Sequence, residues 1–390
     1  MTSLDELAAL APDLSWEALA PRELPTLRLP GLRLETLRRA IRRAARPLIL
    51  VNDDTRVLLD GLGEVLGDIW SSATIDPRLL VATGTHKRSA GRMRDLLGGL
   101  PVELHDADDA EAHVELSRGV LLDRRVVDAD LALVFGSVEP HYFGGWSGAH
   151  KTATVGVLAR ETIQRNHEHA LSNEAQPLRL TGNPVYEDLA RITGEVERGR
   201  RLLCVNHVLD GRGRPLGVGV GTWRGSLKRA VAVAARRFVA ELSEPADVLV
   251  ARVEGPLSRS LYQADKGIKN CEACVREGGA LVLVADMADG LGPDRFVELL
   301  KAAPDEAAAR ARVEQEGYVL GDHKAVRLRA LQARGVALHL VSARLPESAL
   351  EGTGLPLHAS LADALAATGV RAGRGVLVQD AGVCVPRVAS

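Results

Sequence analysis

The sequence has little of several features that commonly identify a class of protein. Aromatic residues are only 3% of its 390 residues, so leucine, valine, isoleucine and alanine must fill its cores. Four cysteines are too few for a disulfide scaffold, and they predict a cytoplasmic protein. No apolar run reaches the roughly 18 residues that predict a membrane span. The acidic start, MTSLDELAAL, lacks the basic region of a signal peptide.

The chain also has no excess of charge of either sign. Its 49 basic and 51 acidic side chains give a formal net charge of -2. Proteins that bind nucleic acid carry a basic surface, so we expect no nucleic-acid partner and no membrane partner. This balance still allows a local pocket for a phosphate group.

The chain does contain a regular alternation of apolar strands and helical segments. Strands are predicted at 46–53, 79–85, 129–138, 246–253, 278–286, 336–343 and 373–382. A hairpin is predicted at 200–221, a long amphipathic helix at 225–243 and a surface segment at 1–30. This alternation indicates an α/β fold with mainly parallel sheets, and the length favours two domains that meet near residue 244.

Polar side chains follow three of these strands. The first strand ends in Asp53, Asp54, Thr55 and Arg56, and His86 and His141 follow the next two. Ligands of open α/β sheets bind beyond the carboxyl ends of strands, so both histidines can face one crevice. Each could equally be a solvated loop histidine, and Asp54 or Thr55 could cap a helix.

Four further motifs bear on the site. The glycine-rich stretch GGWSGAHK (144–151) predicts either close approach of backbone to a ligand at Lys151 or a flexible surface loop. His167 and His169 in RNHEHAL do not share a helix face, so at most one is directed at a site. The CEAC motif (271–274) favours buried packing over zinc binding. ATGTHK (82–87) lacks the glycine pattern of a dinucleotide site, which argues against a dehydrogenase.

Taken together, the motifs of this chain resemble the nickel-dependent lactate racemase family. The resemblance lies in His167 and in DDTR (53–56), TGTH (83–86), GSVEPHYFGGWSGAHK (136–151), GNPVYEDLA (182–190) and YQADKG (262–267). It implies two α/β domains with the active site in the crevice between them. We expect an N-terminal domain over 1–243, to which 377–390 returns, and a C-terminal domain over 244–376.

The resemblance also implies a reaction and roles for single residues. It predicts a racemase or epimerase of a small 2-hydroxy acid, with His86 and His141 as the acid/base pair. The cofactor is a nickel-pincer nucleotide, Ni(II)-pyridinium-3,5-bisthiocarboxylic acid mononucleotide, which is made by separate biosynthesis enzymes and bound covalently at Lys151. Since the pincer gives nickel three donors, His167 alone completes a square-planar site.

The remaining family positions hold cofactor or substrate. The implied cofactor-binding residues are Asp53, Asp54, Thr55, Arg56, Lys151, Gln263 and Lys266. The implied substrate-binding residues are Arg56, Tyr262 and Lys266. The chain departs from the family at His150, where arginine is typical, and at GDHKA (321–325), which includes His323 and lacks a family tryptophan. Two alternatives are the same cofactor with another substrate or reaction, and a relative that binds ligand without catalysis.

Overall fold

The computed structural model describes residues 3–27 and 33–389. The chain divides into two compact units, which we name the N-terminal unit (23–236) and the C-terminal unit (1–22 with 237–390). This division differs from the expected one in three respects. The boundary lies seven residues earlier than 243/244, residues 1–22 group with the second half of the chain, and residues 377–390 stay with that half and do not return to the N-terminal unit.

The strands alternate with helices along most of the chain. The strands are β1 (Leu14–Leu19), β2 (Pro47–Asn52), β3 (Arg78–Ala82), β4 (Glu103–Leu104), β5 (His113–Ser117), β6 (Val120–Asp123), β7 (Leu131–Ser137), β8 (Pro140–His141), β9 (Gly145–Trp146), β10 (Arg201–Leu209), β11 (Pro215–Gly221), β12 (Val239–Leu242), β13 (Ala246–Arg252), β14 (Val275–Val284), β15 (Ala337–Val341), β16 (Leu357–His358), β17 (Gly373–Val378) and β18 (Val385–Val388). The helices are α1 (Leu4–Leu10), α2 (Leu34–Arg42), α3 (Leu62–Ser71), α4 (Ala90–Leu96), α5 (Arg124–Asp128), α6 (Ala149–Thr152), α7 (Arg160–Glu168), α8 (Pro184–Gly199), α9 (Trp223–Phe238), α10 (Leu261–Cys271), α11 (Asp294–Ala302), α12 (Glu306–Glu316), α13 (Asp322–Ala333) and α14 (Leu361–Ala367). Within the described ranges, no helix is long and apolar enough to cross a membrane.

The N-terminal unit is built on a six-stranded sheet in the order β11-β10-β7-β2-β3-β4. All neighbours are parallel except β11, which forms the predicted antiparallel hairpin with β10. Ile49 and Val51 pack one face of β2 into a core with Leu37 and Leu66 of the helices α2 and α3. Successive residues of β2 are buried on both faces, which explains its continuous apolar sequence.

The order of the central strands determines where the polar motifs meet. β7, β2 and β3 are adjacent and parallel, so their carboxyl ends lie at one edge of the sheet. Asp53 follows β2, His86 follows β3 after a short turn, and Glu139 follows β7. The fold therefore collects the sequence motifs 53–56, 83–86 and 136–151 at one edge.

The C-terminal unit has a second six-stranded sheet, in the order β1-β17-β13-β14-β15-β16, with every neighbouring pair parallel. Its edge strand β1 lies in the predicted surface segment 1–30, in which no strand was predicted, and only Leu14 of this strand is buried. The pairing of β1 with β17 accounts for the grouping of residues 1–22 with this unit. Residues 1–2 and 28–30 of the same prediction lie outside the described residues.

Two element boundaries in this part of the chain also differ from the prediction. The helix predicted over 225–243 ends at Phe238, because residues 239–242 form β12 and pair with β18 near the end of the chain. The last predicted strand, 373–382, ends at Val378. The sequence VAEL of β12 fits either a helix or a strand by apolar pattern, and pairing with a distant segment decides between them.

Candidate active site

Asp53 and His86 form a hydrogen-bonded pair at the carboxyl edge of the N-terminal sheet. Nδ1 of His86 lies 2.9 Å from Oδ2 of Asp53, and the hydroxyl of Thr55 donates to Oδ1 of the same carboxylate. Burial alone would raise the pKa of Asp53, but the hydrogen bonds from His86, Thr55 and Arg88 outweigh it and lower that pKa. An ionised Asp53 fixes the proton of His86 on Nδ1. This leaves Nε2 with a lone pair that can accept a proton.

Asp54 is held by arginines. Nε of Arg92 lies 2.5 Å from Oδ2 of Asp54, and Nε of Arg88 lies 3.2 Å from Oδ1. The next helix, α3, begins only at Leu62, with Gly61 at its N-cap. The interpretation of Asp54 or Thr55 as a helix cap was therefore wrong.

Arg56 forms an ion pair with a residue that sequence reasoning did not single out. Its Nη1 donates to Oε2 of Glu139 at 2.8 Å, and the two side chains are 26% and 14% exposed. Glu139 follows β7, two residues before His141. A substrate carboxylate that binds Arg56 must share this guanidinium with Glu139.

The segment that follows β7 is buried. Every residue from 140 to 150 is buried, so the interpretation as a flexible surface loop was wrong. Its glycines meet protein atoms: a Cβ on Gly145 would lie 2.1 Å from the carbonyl oxygen of Arg179, and one on Gly148 would lie 2.6 Å from Oδ1 of Asn206. At these two positions the close approach is to the protein itself. The segment is thus a packed support for His141 and Lys151.

His141 and Lys151 are in direct contact in the N-terminal unit. Nζ of Lys151 lies 2.7 Å from Nε2 of His141, and the backbone N–H of Gly144 donates to Nδ1 at 3.0 Å. The ring of Phe143 lies edge-on to His141, with 4.5 Å between ring centroids, and Lys151 Nζ is 5.7 Å from the Phe143 centroid. The predicted acid/base residue and the predicted tether are therefore brought together.

His167, on α7, lies on the other side of Phe143. The two ring centroids are 5.0 Å apart, and Nδ1 of His167 is buried without a hydrogen-bond partner. Burial, and then the nearby charge of Lys151, lower the pKa of His167 to about 3, so its imidazole is neutral at physiological pH. His169 lies past the end of α7 and is exposed. Only His167 is thus placed within this cluster.

His150 is buried beside the predicted tether but packs away from water. Its ring lies between Tyr186 and Trp223, at centroid distances of 5.6 and 6.4 Å, and neither nitrogen has a hydrogen-bond partner. Burial, and then the charge of Lys151, lower its pKa to about 3. His150 is therefore an uncharged packing residue beside Lys151.

The cysteines are buried thiols. Cys271 ends α10 and Cys274 lies in the following turn, and burial raises the pKa of Cys274 to about 11. Over the described ranges, no group of three or more His, Cys, Asp or Glu side chains is arranged to hold a metal ion. The packing interpretation of CEAC is confirmed.

The α10 motif lies in the C-terminal unit. Tyr262, Gln263 and Lys266 are partly exposed near the start of the helix, whose N-cap is Ser260. Tyr262 is fixed from two sides: Phe296 packs edge-on at 5.5 Å between centroids, and Nζ of Lys324 lies 4.6 Å from its ring centroid. Whether these residues join the histidines was a prediction from the resemblance, and it stays one.

Helix α13 supports α10 through buried charge. Nζ of Lys324 lies 3.1 Å from Oδ2 of Asp265, and the two side chains are only 3% and 5% exposed. The neighbouring His323 is also buried, and its Nδ1 lies 2.7 Å from the hydroxyl of Tyr318. The GDHKA segment thus supplies an ion pair and a hydrogen bond inside the unit.

Sequence reasoning missed four charged residues that organise these clusters. They are Arg88, Glu139, Asp265 and Lys324. Glu139 and Arg88 lie two residues from the predicted histidines, and their strand-end positions were a usable signal. Asp265 and Lys324 gave no such signal, because the two residues are distant in sequence and both lie within helices.

This fold and site define a class of α/β protein in which histidines and a lysine are assembled at the carboxyl edge of a parallel sheet. Within that class, the lactate racemase N-terminal domain matches residues 30–178 and the lactate racemase C-terminal domain matches residues 242–384. The chain belongs to the lactate racemase family, and the family resemblance seen in its motifs is confirmed.

Two lactate racemases are similar to this chain in sequence. The one from Lactiplantibacillus plantarum is 28% identical over 244 residues, which cover 58% of this chain and 56% of the relative. The one from Thermoanaerobacterium thermosaccharolyticum is 27% identical over 260 residues, which cover 62% and 59%. The matched part of this chain therefore spans less than two thirds of each relative's length.

Two solved structures share the fold. The lactate racemase apoprotein from Thermoanaerobacterium thermosaccharolyticum superposes with a TM-score of 0.79 at 20% identity, covering 91% of this chain and 89% of that one. A protein from Thermotoga maritima superposes with a TM-score of 0.69 at 13% identity, covering 91% and 97%. The predicted α/β fold with mainly parallel sheets is confirmed.

Proposed function

We propose that this protein is a racemase or epimerase of a small 2-hydroxy acid, with His86 and His141 as its two acid/base residues. The observation that carries the proposal is the contact of His141 Nε2 with Lys151 Nζ at 2.7 Å, since it joins one base to the predicted cofactor tether. Family membership supports the reaction class. The lactate racemase names belong to relatives that this chain matches only in part, so the substrate's side chain is left open.

The residues present fit the nickel-pincer nucleotide that the family implies. His167 offers a neutral imidazole whose buried Nδ1 has no hydrogen-bond partner, and a neutral imidazole suits Ni(II). Lys151 is held in a packed segment within the same cluster as His141 and Phe143. We propose that Lys151 is the covalent anchor and His167 the one protein ligand to nickel. When bound, such a group supplies an acceptor for the hydrogen at C2 of the substrate.

The protein's own residues then have to move one proton and hold one carboxylate. The C2–H bond of a 2-hydroxy acid is a poor proton donor, so a proton is better removed from the hydroxyl group as C2 is oxidised. His86 can accept that proton at Nε2, because Asp53 keeps the other nitrogen protonated. His141 would serve the opposite enantiomer, whose hydroxyl group points in a different direction.

Arg56 and Lys266 are the proposed carboxylate partners. The guanidinium of Arg56 can bind two carboxylate oxygens at once, which would hold the substrate while C2 turns. Lys266 and the adjoining Tyr262 and Gln263 belong to α10 of the C-terminal unit. The free buried thiols support the proposal that the protein is cytoplasmic, where cofactor biosynthesis enzymes would be its partners.

The test is to coexpress the chain with cofactor biosynthesis enzymes and to measure intact mass, nickel content and racemisation. An adduct of nucleotide size on Lys151, absent in Lys151→Ala, together with conversion of one enantiomer of a 2-hydroxy acid into the other, would support the proposal. A panel of 2-hydroxy acids, followed by chiral chromatography, would identify the substrate side chain. Retention of adduct without any racemisation would favour a different reaction or a binding role.

The same material tests how the C2 hydrogen moves. In heavy water, a hydrogen that returns to its own carbon leaves C2 unlabelled, whereas removal as a proton by a histidine introduces deuterium. We expect no substantial C2 deuteration by NMR. His86→Ala should lower racemisation by ~10²–10⁴-fold, the usual contribution of a general acid/base residue, while nickel and adduct are retained.

A further inference from the structure

The ring of His141 has a defined hydrogen-bond donor on one side and an amine on the other. The Gly144 N–H points at Nδ1 from 3.0 Å, and Nζ of Lys151 lies 2.7 Å from Nε2. The ring is also fixed by Phe143 edge-on and by Tyr142 stacked at 5.3 Å. It therefore cannot turn over without breaking the contacts of a segment that is buried throughout.

This geometry determines which ring nitrogen of His141 carries a proton. A nitrogen that accepts from a backbone N–H carries no proton of its own, so Nδ1 is bare and the neutral imidazole carries its proton on Nε2. That Nε2–H points at Nζ and needs a lone pair there. An ammonium group has three N–H donors and no lone pair, so a protonated lysine would meet the Nε2–H donor head-on.

We propose that His141 holds Lys151 as an uncharged amine, ready to attack a carbon electrophile before any cofactor is attached. In the cofactor-free protein, His141 is thus a positioning residue for the lysine. The identity of the natural electrophile rests on the proposed function, but the state of the lysine does not.

The other titratable groups around Lys151 are consistent with this state. Burial lowers the pKa values of His150 and His167 to about 3, so both rings are neutral at physiological pH. The ring of Phe143 lies between Lys151 and His167. Burial disfavours an ammonium charge on Lys151, whereas the Phe143 ring favours one, so the Nε2–H contact carries the inference.

Two other lysines show how specific the arrangement is. Lys269 forms an ion pair with Glu272, and burial lowers its pKa well below the ordinary value. Lys87 is exposed, and hydrogen bonds to Asp106 and Asp108 raise its pKa. Lys151 differs from both in that its Nζ contacts the imidazole nitrogen Nε2 of His141.

The experiment is pulse labelling of the cofactor-free full chain with a small amount of acetic anhydride from pH 6 to 11, with acetylation read at each lysine by mass spectrometry. In this reaction the Nζ lone pair forms an N–C bond to the acyl carbon, acetate leaves, and one Nζ proton passes to water. Lys228, exposed on α9, is the reference. We expect Lys151 to label at least about tenfold more than Lys228 at pH 7.5, with its midpoint about two pH units lower, a shift of the size that burial and neighbours produce.

His141→Phe keeps a ring of similar shape and removes both nitrogens. In this variant the midpoint of Lys151 should move up to that of Lys228, while the exposed His169→Ala control keeps the native profile. Circular dichroism and the Lys228 profile check that each variant folds. The inference would be overturned if native Lys151 were acetylated with the same pH dependence as Lys228. It would also be overturned if the pH dependence of Lys151 acetylation were unchanged in folded His141→Phe.

This test separates the inference from the proposed function. A highly reactive Lys151 in a protein that never acquires a cofactor would leave the inference standing and remove the proposed function. An adduct that forms on a Lys151 of ordinary reactivity would do the reverse.

Discussion

Nδ1 of His86 lies 2.9 Å from Oδ2 of Asp53, and the carboxylate also accepts hydrogen bonds from Thr55 and Arg88. Asp53 is 3% exposed, while the side chain of His86 is 49% exposed. A buried carboxylate thus fixes the orientation and proton position of an accessible imidazole. This is the arrangement that a base needs if one defined nitrogen is to face the substrate.

Asp53→Asn should separate orientation from charge. The amide keeps the shape of the carboxyl group but can present an N–H to Nδ1, which moves the imidazole proton to Nε2 and removes the base. We expect kcat to fall by ~10²–10⁴-fold with a smaller change in KM. Racemisation kinetics on loaded protein provide the measurement, and nickel content is the control. A variant with native kcat would show that Asp53 does not set the proton position of His86.

His167→Ala should lose nickel, and His169→Ala should keep it. His167 lies in the cluster with Phe143 and Lys151, whereas His169 is exposed beyond the end of α7. The low pKa of His167 keeps its lone pair free of protons, so nickel retention should be nearly constant between pH 5 and 8. Metal analysis after gel filtration at each pH tests both statements. If His169→Ala lost nickel and His167→Ala kept it, the assignment of His167 as the nickel ligand would be wrong.

Local sequence predicted the parts of this molecule whose pattern does not depend on distant partners. The apolar runs of β2, β3 and β7 are buried on both faces, and such runs are visible in sequence. The chemistry at their ends followed from the rule that ligands bind at carboxyl edges. The pairing of β1 with β17 and of β12 with β18 joins segments far apart in the chain, and no local pattern indicates it.

Helix α13 shows the same limit for the site. Its sequence, DHKAVRLRALQA, has charged residues on every face, yet most of its side chains are buried. Their burial depends on partners on other elements: Asp265 for Lys324, and Arg295 for Asp322. Since a buried charge is stable only with its partner, the sequence of one helix cannot show which charges are buried.

Lys324→Met should destabilise the C-terminal unit strongly. It leaves the Asp265 carboxylate buried without its partner, and removal of one member of a buried pair typically costs about 3–5 kcal/mol. In the double variant Lys324→Met/Asp265→Leu no charge is left uncompensated, so we expect it to recover much of the loss. Urea unfolding of both variants measures the free energies. A double variant as unstable as the single one would show that packing, and not the lone charge, is responsible.

Acid should destabilise the N-terminal unit through three buried histidines that remain neutral when folded. Burial lowers the pKa of His150 and of His167 to about 3 and that of His207 to about 4. Their unfolded pKa is ~6.5, so as pH falls below that value the unfolded chain binds protons that the folded chain does not. The stabilisation is therefore present above pH ~6.5 and is lost as pH falls toward the folded pKa values. Each histidine contributes a slope of about 1.4 kcal/mol per pH unit within this window. Urea unfolding at pH 5 and pH 7 measures the slope, and His150→Leu should reduce it by about one histidine's share. The exposed His169→Ala is the matched control, and an equal reduction in that variant would contradict the assignment to His150.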